Sequence, residues 1–100
     1  DAKNQTALFY ASEKGKYKEI EYLIQHGTNI NIKSKYGETA LLIACENGYD
    51  RIAKLLIDHH CEMNNHGKYG ETELIRACKI NNIAIIKYLI EAKVNINDTD

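Results

Sequence analysis

Chemical reach is concentrated in Asp58-His59-His60-Cys61 and nearby His66. An imidazole that takes up the proton of an adjacent thiol leaves a thiolate able to attack an acyl carbonyl, and imidazole and thiolate together are the usual ligands of zinc. The spacing suits neither use. Consecutive residues rarely aim at one tetrahedral ion, and the chain has no CxxC or HxxxH pair, no Gly-rich phosphate loop, no GxSxG elbow and no HExxH motif. Cys45, Cys61 and Cys78 are odd in number and unpaired in spacing, which argues against a disulfide framework and fits a reducing cytoplasm. No catalytic residue, metal ligand or cofactor is therefore expected.

What must hold these residues in place is a repeat. Thr6, Thr39 and Thr72, then Leu8, Leu41 and Leu74, then Ala11, Ala44 and Ala77 recur at a step of 33 residues. Leu23, Leu56 and Leu89 keep that step, and Tyr36-Gly37-Glu38-Thr39 returns intact as Tyr69-Gly70-Glu71-Thr72. The units run 1–33, 34–66 and 67–100 within one domain. Each Thr reads as an N-cap whose hydroxyl accepts from an otherwise unpaired amide, opening a short helix that ends near Gly15, Gly48 and Asn81, residues that tolerate the left-handed backbone. Ile20, Leu23 and Ile24, with Ile52, Leu55 and Leu56 and with Ile86, Leu89 and Ile90, place a second helix later in each unit.

Stretches such as Asn29-Ile30-Asn31-Ile32, followed by Gly37 or Gly70, predict β-hairpin-like loops projecting outward. Asn31, Asn64 and Asn97 are suited to brace those loops through side-chain hydrogen bonds. Helical pairs this short bury nothing alone, so the three units must stack, with Leu8, Leu41 and Leu74 in one core. Cys45, Cys78 and Cys61 are expected inside that core as small residues. The period assigns Asp58 to Cys61 the same slots as Gln25 to Thr28, which accounts for the cluster without any reaction.

Thirteen Lys and Arg against fourteen Asp and Glu give a net charge of −1, with no basic stripe, so nucleic acid is not an expected partner. No apolar stretch approaches the ~20 residues of a membrane span, so no membrane insertion is expected. The chain opens on Asp1 and carries no secretory signal pattern, and it reads as an excerpt of a longer array.

Thr6-Ala7-Leu8-Phe9-Tyr10-Ala11, Thr39-Ala40-Leu41-Leu42-Ile43-Ala44 and Thr72-Glu73-Leu74-Ile75-Arg76-Ala77 resemble the TPLHxA signature of ankyrin repeats. Leu23-Ile24-Gln25-His26-Gly27-Thr28-Asn29-Ile30-Asn31 is similar to that family's LLLxxGADVN segment, and the resemblance spans essentially the whole chain. Ala7, Ala40 and Glu73 depart from its Pro, and Phe9, Leu42 and Ile75 from its His, which removes the family's Thr-to-His hydrogen bonding. His60 and Lys93 stand where Gly27 keeps its Gly, and a left-handed turn there strains them by ~1–2 kcal/mol.

The resemblance implies an all-α fold, an α-solenoid of three ankyrin repeats built from helix-turn-helix pairs joined by β-hairpin-like loops. It implies a non-catalytic module that binds a protein partner through the hairpin tips and the concave face of the first helices. By position, those contacts fall on Glu13 and Lys14 in the first unit, on Lys35, Tyr36, Glu38, Glu46 and Asn47 in the second, and on Lys68, Tyr69, Glu71, Lys79 and Ile80 in the third. The alternative is a structural or regulatory repeat segment of a larger multidomain protein, positioning a domain outside this chain. Asp58 to Cys61 also spells the tetrapeptide of protein S-acyltransferases, but the zinc-binding cysteines and membrane spans of those enzymes are missing. Glu62-Met63-Asn64 resembles a target of ankyrin asparaginyl hydroxylases. Ile83, Ile85, Ile86 and Ile90 make the last helix more apolar than Lys18-Glu19-Ile20-Glu21 at the same place in unit one, so further repeats or self-association are expected at that end.

Overall fold

The computed structural model describes residues 2–67 and 69–98, with side chains over 3–67 and 69–93. Its helices are α1 (Ala2–Lys14), α2 (Tyr17–Gln25), α3 (Ala40–Asn47), α4 (Asp50–Asp58), α5 (Glu73–Lys79) and α6 (Ile83–Asp98). Helices α1 and α2, α3 and α4, and α5 and α6 form three hairpins, and the odd helices stack in one row while the even ones stack in a second.

Thr39 and Thr72 cap α3 and α5 as their types predict, their hydroxyls accepting from Leu42 N at 3.2 Å and Ile75 N at 3.3 Å. Thr6 does not. Helix α1 starts five residues earlier, because the slot that holds a left-handed Gly37 or Gly70 before the other caps is occupied here by Asn4, and nothing breaks the helix. The first helices close as expected: Gly48 takes a left-handed φ of 72° after α3, and Asn81 a φ of 59° after α5. His60 holds the left-handed turn after α4 at φ 60°. Lys93 makes no such turn, since α6 continues through it to Asp98, and remaining helical avoids the ~1–2 kcal/mol that the left-handed form imposes on a side chain.

The loops are hairpin-like without a ladder, and no strand occurs among the described residues. Each tip is closed by two backbone bonds, Ser34 N to Glu38 O and Gly37 N to Ser34 O, both at 2.9 Å, in one, and Gly67 N to Glu71 O at 3.4 Å and Gly70 N to Gly67 O at 2.9 Å in the other. Asn31 braces its loop by reaching the next unit, its Oδ1 accepting from Glu62 N at 2.7 Å. In unit two that duty falls to Asn65, whose amide donates to Glu62 O and to Glu73 Oε2, while Asn64 sits at φ 64° and gives only its backbone N–H to Glu73 Oε1. The Asn97 side chain lies outside the described residues.

The core runs along the stack. Ala11, Ala44 and Ala77 are buried where helices approach closely, flanked by Leu8, Leu41, Ile20, Ile52, Leu56, Ile85 and Leu89. Leu74 is not part of it. Leu8 and Leu41 are shut in by the following unit, whereas Leu74 lies in the last described unit and is 42% exposed. The same slot rule applies to Ser12, Cys45 and Cys78: the first two are buried and Cys78 is exposed, contrary to its expected place in the core. Cys61 is buried as expected. No described helix is long and apolar enough to cross a membrane.

Candidate partner-binding face

The tips are shaped by short polar locks. Ser34 Oγ accepts from Tyr36 N and Glu38 N, both at 3.2 Å, and Gly37 supplies the left-handed φ of 79° that lets the chain reverse. Tyr36 and Tyr69 are left standing on these turns, 60% and 67% exposed. Lys35 lies over the Tyr36 ring, its Nζ 5.2 Å from the centroid.

Two grooves open between the tips and the first helices. One, of about 330 Å³, has Glu13, Tyr36, Glu38, Glu46 and Asn47 in its lining, together with Phe9 and Ile43. Its neighbour, of about 410 Å³, is lined by Glu46, Tyr69, Glu71, Arg76, Lys79 and Ile80. Nine of the residues assigned by position are thus gathered on one side of the stack, and Glu46 belongs to both grooves. Lys14 lines neither and reaches over Tyr10, while Lys68 lies outside the described residues.

Glu38 differs from the others. It is buried, and its two oxygens each accept from the Arg76 guanidinium at 2.7 Å, a bidentate pair that carries an extra hydrogen bond from Arg76 to Glu46 at 3.0 Å. Arg76 is itself buried, and the bond to Glu38 holds its proton more firmly while burial works the other way. The arginine was not legible as a site residue, because its slot holds Tyr10 and Ile43 in the other units. The available signal was a lone charge in that slot with Glu38 and Glu46 one unit earlier. Glu73 was missed too: it is 2% exposed and collects Asn64 N, Asn65 N and Asn65 Nδ2.

In the His-Cys cluster the thiol is buried. Burial, then the charge of Glu73, pushes the Cys61 thiol up to about 12, so it keeps its proton where a nucleophile must lose it. Cys45 is raised further for the same two reasons. His60 is fixed in the left-handed turn and His59 caps α4. Among the described residues, no three His, Cys, Asp or Glu side chains are grouped to hold a metal ion.

A sequence profile of ankyrin repeats, in three copies, matches residues 1–66 and 27–100. This chain belongs to the ankyrin repeat family. Among solved structures, 371 chains match. The ankyrin repeat domain of human ASB11 is 28% identical, with a TM-score of 0.79 over 85% of this chain. The chain spans 38% of the length of that domain. No curated protein matches. Ankyrin repeats are in general protein–protein interaction modules, and the fold is typically non-catalytic.

Proposed function

We propose that these three ankyrin repeats form a non-catalytic module that holds an extended segment of a protein partner along the two grooves. One observation carries the reading: Tyr36 and Tyr69, on equivalent tips, are 60% and 67% exposed beside adjoining grooves. A large ring left in water gains little from folding and much from a partner, which is why Tyr is favoured as an interface anchor. Glu13, Glu46, Asn47, Glu71, Lys79 and Ile80 supply the surrounding polar and apolar contacts, with Lys14, Lys35 and Lys68 at the margins. Glu38 acts from beneath, by fixing Arg76. The mixed charge of this face favours protein over nucleic acid. The free thiols support a reducing, cytoplasmic setting.

The test is capture from lysate by the wild-type chain and by a Tyr36→Ala, Tyr69→Ala double variant. The variant stays folded by circular dichroism and loses the captured protein. Equal capture by both would place binding elsewhere.

A second reading, a repeat segment within a larger protein that positions another domain, is favoured by the exposed Leu74, Ile83 and Ile90 at the C-terminal end. The same residues favour self-association through that end.

A further inference from the structure

We propose that the C-terminal face of one copy stacks head to tail on the N-terminal face of a second copy, in the register that joins adjacent repeats inside the chain. The proposal rests on the self-association reading and names the surface that the exposed end meets.

The N-terminal face is a groove of about 410 Å³ between α1 and α2, with Ala7, Tyr10, Ala11, Lys16, Tyr22 and Leu23 in its lining. One repeat later the same slots meet the preceding unit: Tyr49, in the slot of Lys16, donates its hydroxyl to Glu13 O at 3.0 Å and lays its ring against Gly15. Two repeats later they do so again. Arg76, in the slot of Tyr10, enters between Glu38 and Glu46, and Asn82, in the slot of Lys16, donates to Asp50 at 2.6 Å. The groove on repeat one is therefore the face that receives a preceding repeat at both inner seams.

The opposite end carries the other half of that seam. Leu41, Leu42 and Cys45 are buried under repeat three, and their counterparts Leu74, Ile75 and Cys78 are exposed, along with Ile83 and Ile90. Carrying the inner register across to a second copy puts Lys87 over Tyr22, as Lys54 Nζ lies 5.4 Å from the Tyr88 ring centroid within the chain. It also sets Lys79 over Tyr10, which takes the slot of Arg76. Glu19 replaces Ile52 and Ile85 in its slot and stands one helical turn before Tyr22, so Lys87 meets both the ring and an opposite charge. Tyr10 and Tyr22 are 58% and 61% exposed, Tyr10 with Lys14 Nζ 5.9 Å from its ring centroid and Tyr22 stacked on the His26 ring. Because the two faces differ, the contact does not close on itself, and the product is an open row.

Sedimentation equilibrium over a range of concentrations tests this with Ile83→Lys, which sets a like charge against Lys16 where Asp50 meets Asn82 within the chain, and Tyr22→Lys, which sets one against Lys87. Both positions are exposed. Circular dichroism checks folding, with Ile90→Glu and Tyr10→Lys as substitutes for a variant that fails it. The wild-type chain should gain mass with concentration, each variant alone should stay monomeric, and their equimolar mixture should stop at two chains, since each supplies one intact face. Tyr22→Lys assembling alone while Ile83→Lys does not would overturn the head-to-tail arrangement and leave pairing of two C-terminal ends. A mixture that stays monomeric would overturn it as well. A wild-type chain that is monomeric throughout would remove self-association altogether.

Discussion

Replacing Arg76 by Met removes the guanidinium that gives Glu38 two hydrogen bonds in a site where the two side chains are 1% and 11% exposed. Taking away one partner of a buried pair costs ~3–5 kcal/mol, whereas exchanging both for apolar groups of similar volume is neutral or stabilising by ~1–4 kcal/mol. Glu46, 52% exposed, contributes no more than about 1 kcal/mol to the loss. Arg76 Nε is buried with no hydrogen-bond partner, and relieving such a group returns ~1–3 kcal/mol, so the single change should fall near ~3 kcal/mol. Against a typical total of ~5–15 kcal/mol that is a large share. It corresponds to a fall in Tm of roughly 12 °C or more.

Urea unfolding of Arg76→Met followed by circular dichroism measures the loss, and the Glu38→Met, Arg76→Met double variant should recover most of it. Ile43, buried in the Arg76 slot one repeat earlier, shows that an apolar side chain fills this position well. The pair spans 38 residues and ties repeat three to repeat two, so the single variant should also broaden the transition as the repeats uncouple. A loss under ~1 kcal/mol, or a double variant no more stable than the single, would refute the reasoning that the pair's worth lies in mutual compensation.

Four further outcomes are expected. Leu41→Ala should cost ~2–5 kcal/mol in the urea midpoint because Leu41 is covered by repeat three, while Leu74→Ala, at 42% exposure, should cost less than half as much. Gly67→Ala should destabilise by ~1–3 kcal/mol, since a Cβ there runs into the Arg76 guanidinium and the Glu38 carboxylate, and Glu38→Met, Arg76→Met should reduce that penalty. A thiol reagent should label Cys78 at once and Cys45 and Cys61 only on unfolding. Below ~pH 8.5 folded and unfolded chains both keep the thiol protons; above it the unfolded chain sheds them first, so stability should fall until Cys61 ionises at about 12, and Cys61→Ala should flatten that fall.

The repeat architecture was legible because its cues are local or periodic. Thr39 and Thr72 need only an amide three residues on, and Gly48 needs only its own backbone freedom. Thr6 misled because capping also requires a break before it, which Asn4 does not impose. Leu74 and Cys78 misled because burial of their slots is granted by the next repeat, not by the residue type. The gathering of Glu46, Tyr69, Glu71, Lys79 and Ile80 around one groove followed from position within the repeat. The inward turn of Glu38 did not, for it is decided by Arg76 in the following unit, and no pattern within a single repeat encodes that meeting.

Both seams of this stack bury apolar side chains, but they differ in one component on which temperature acts differently. The first has Ile43 in the slot where the second has the buried Arg76 ion pair. Apolar cohesion fades in the cold, whereas the dehydration cost of ions shrinks with heat. Chilling should therefore loosen the N-terminal hairpin ahead of its C-terminal counterpart, and warming should favour the ionic joint, so the end from which the rod begins to fray is itself set by the thermometer.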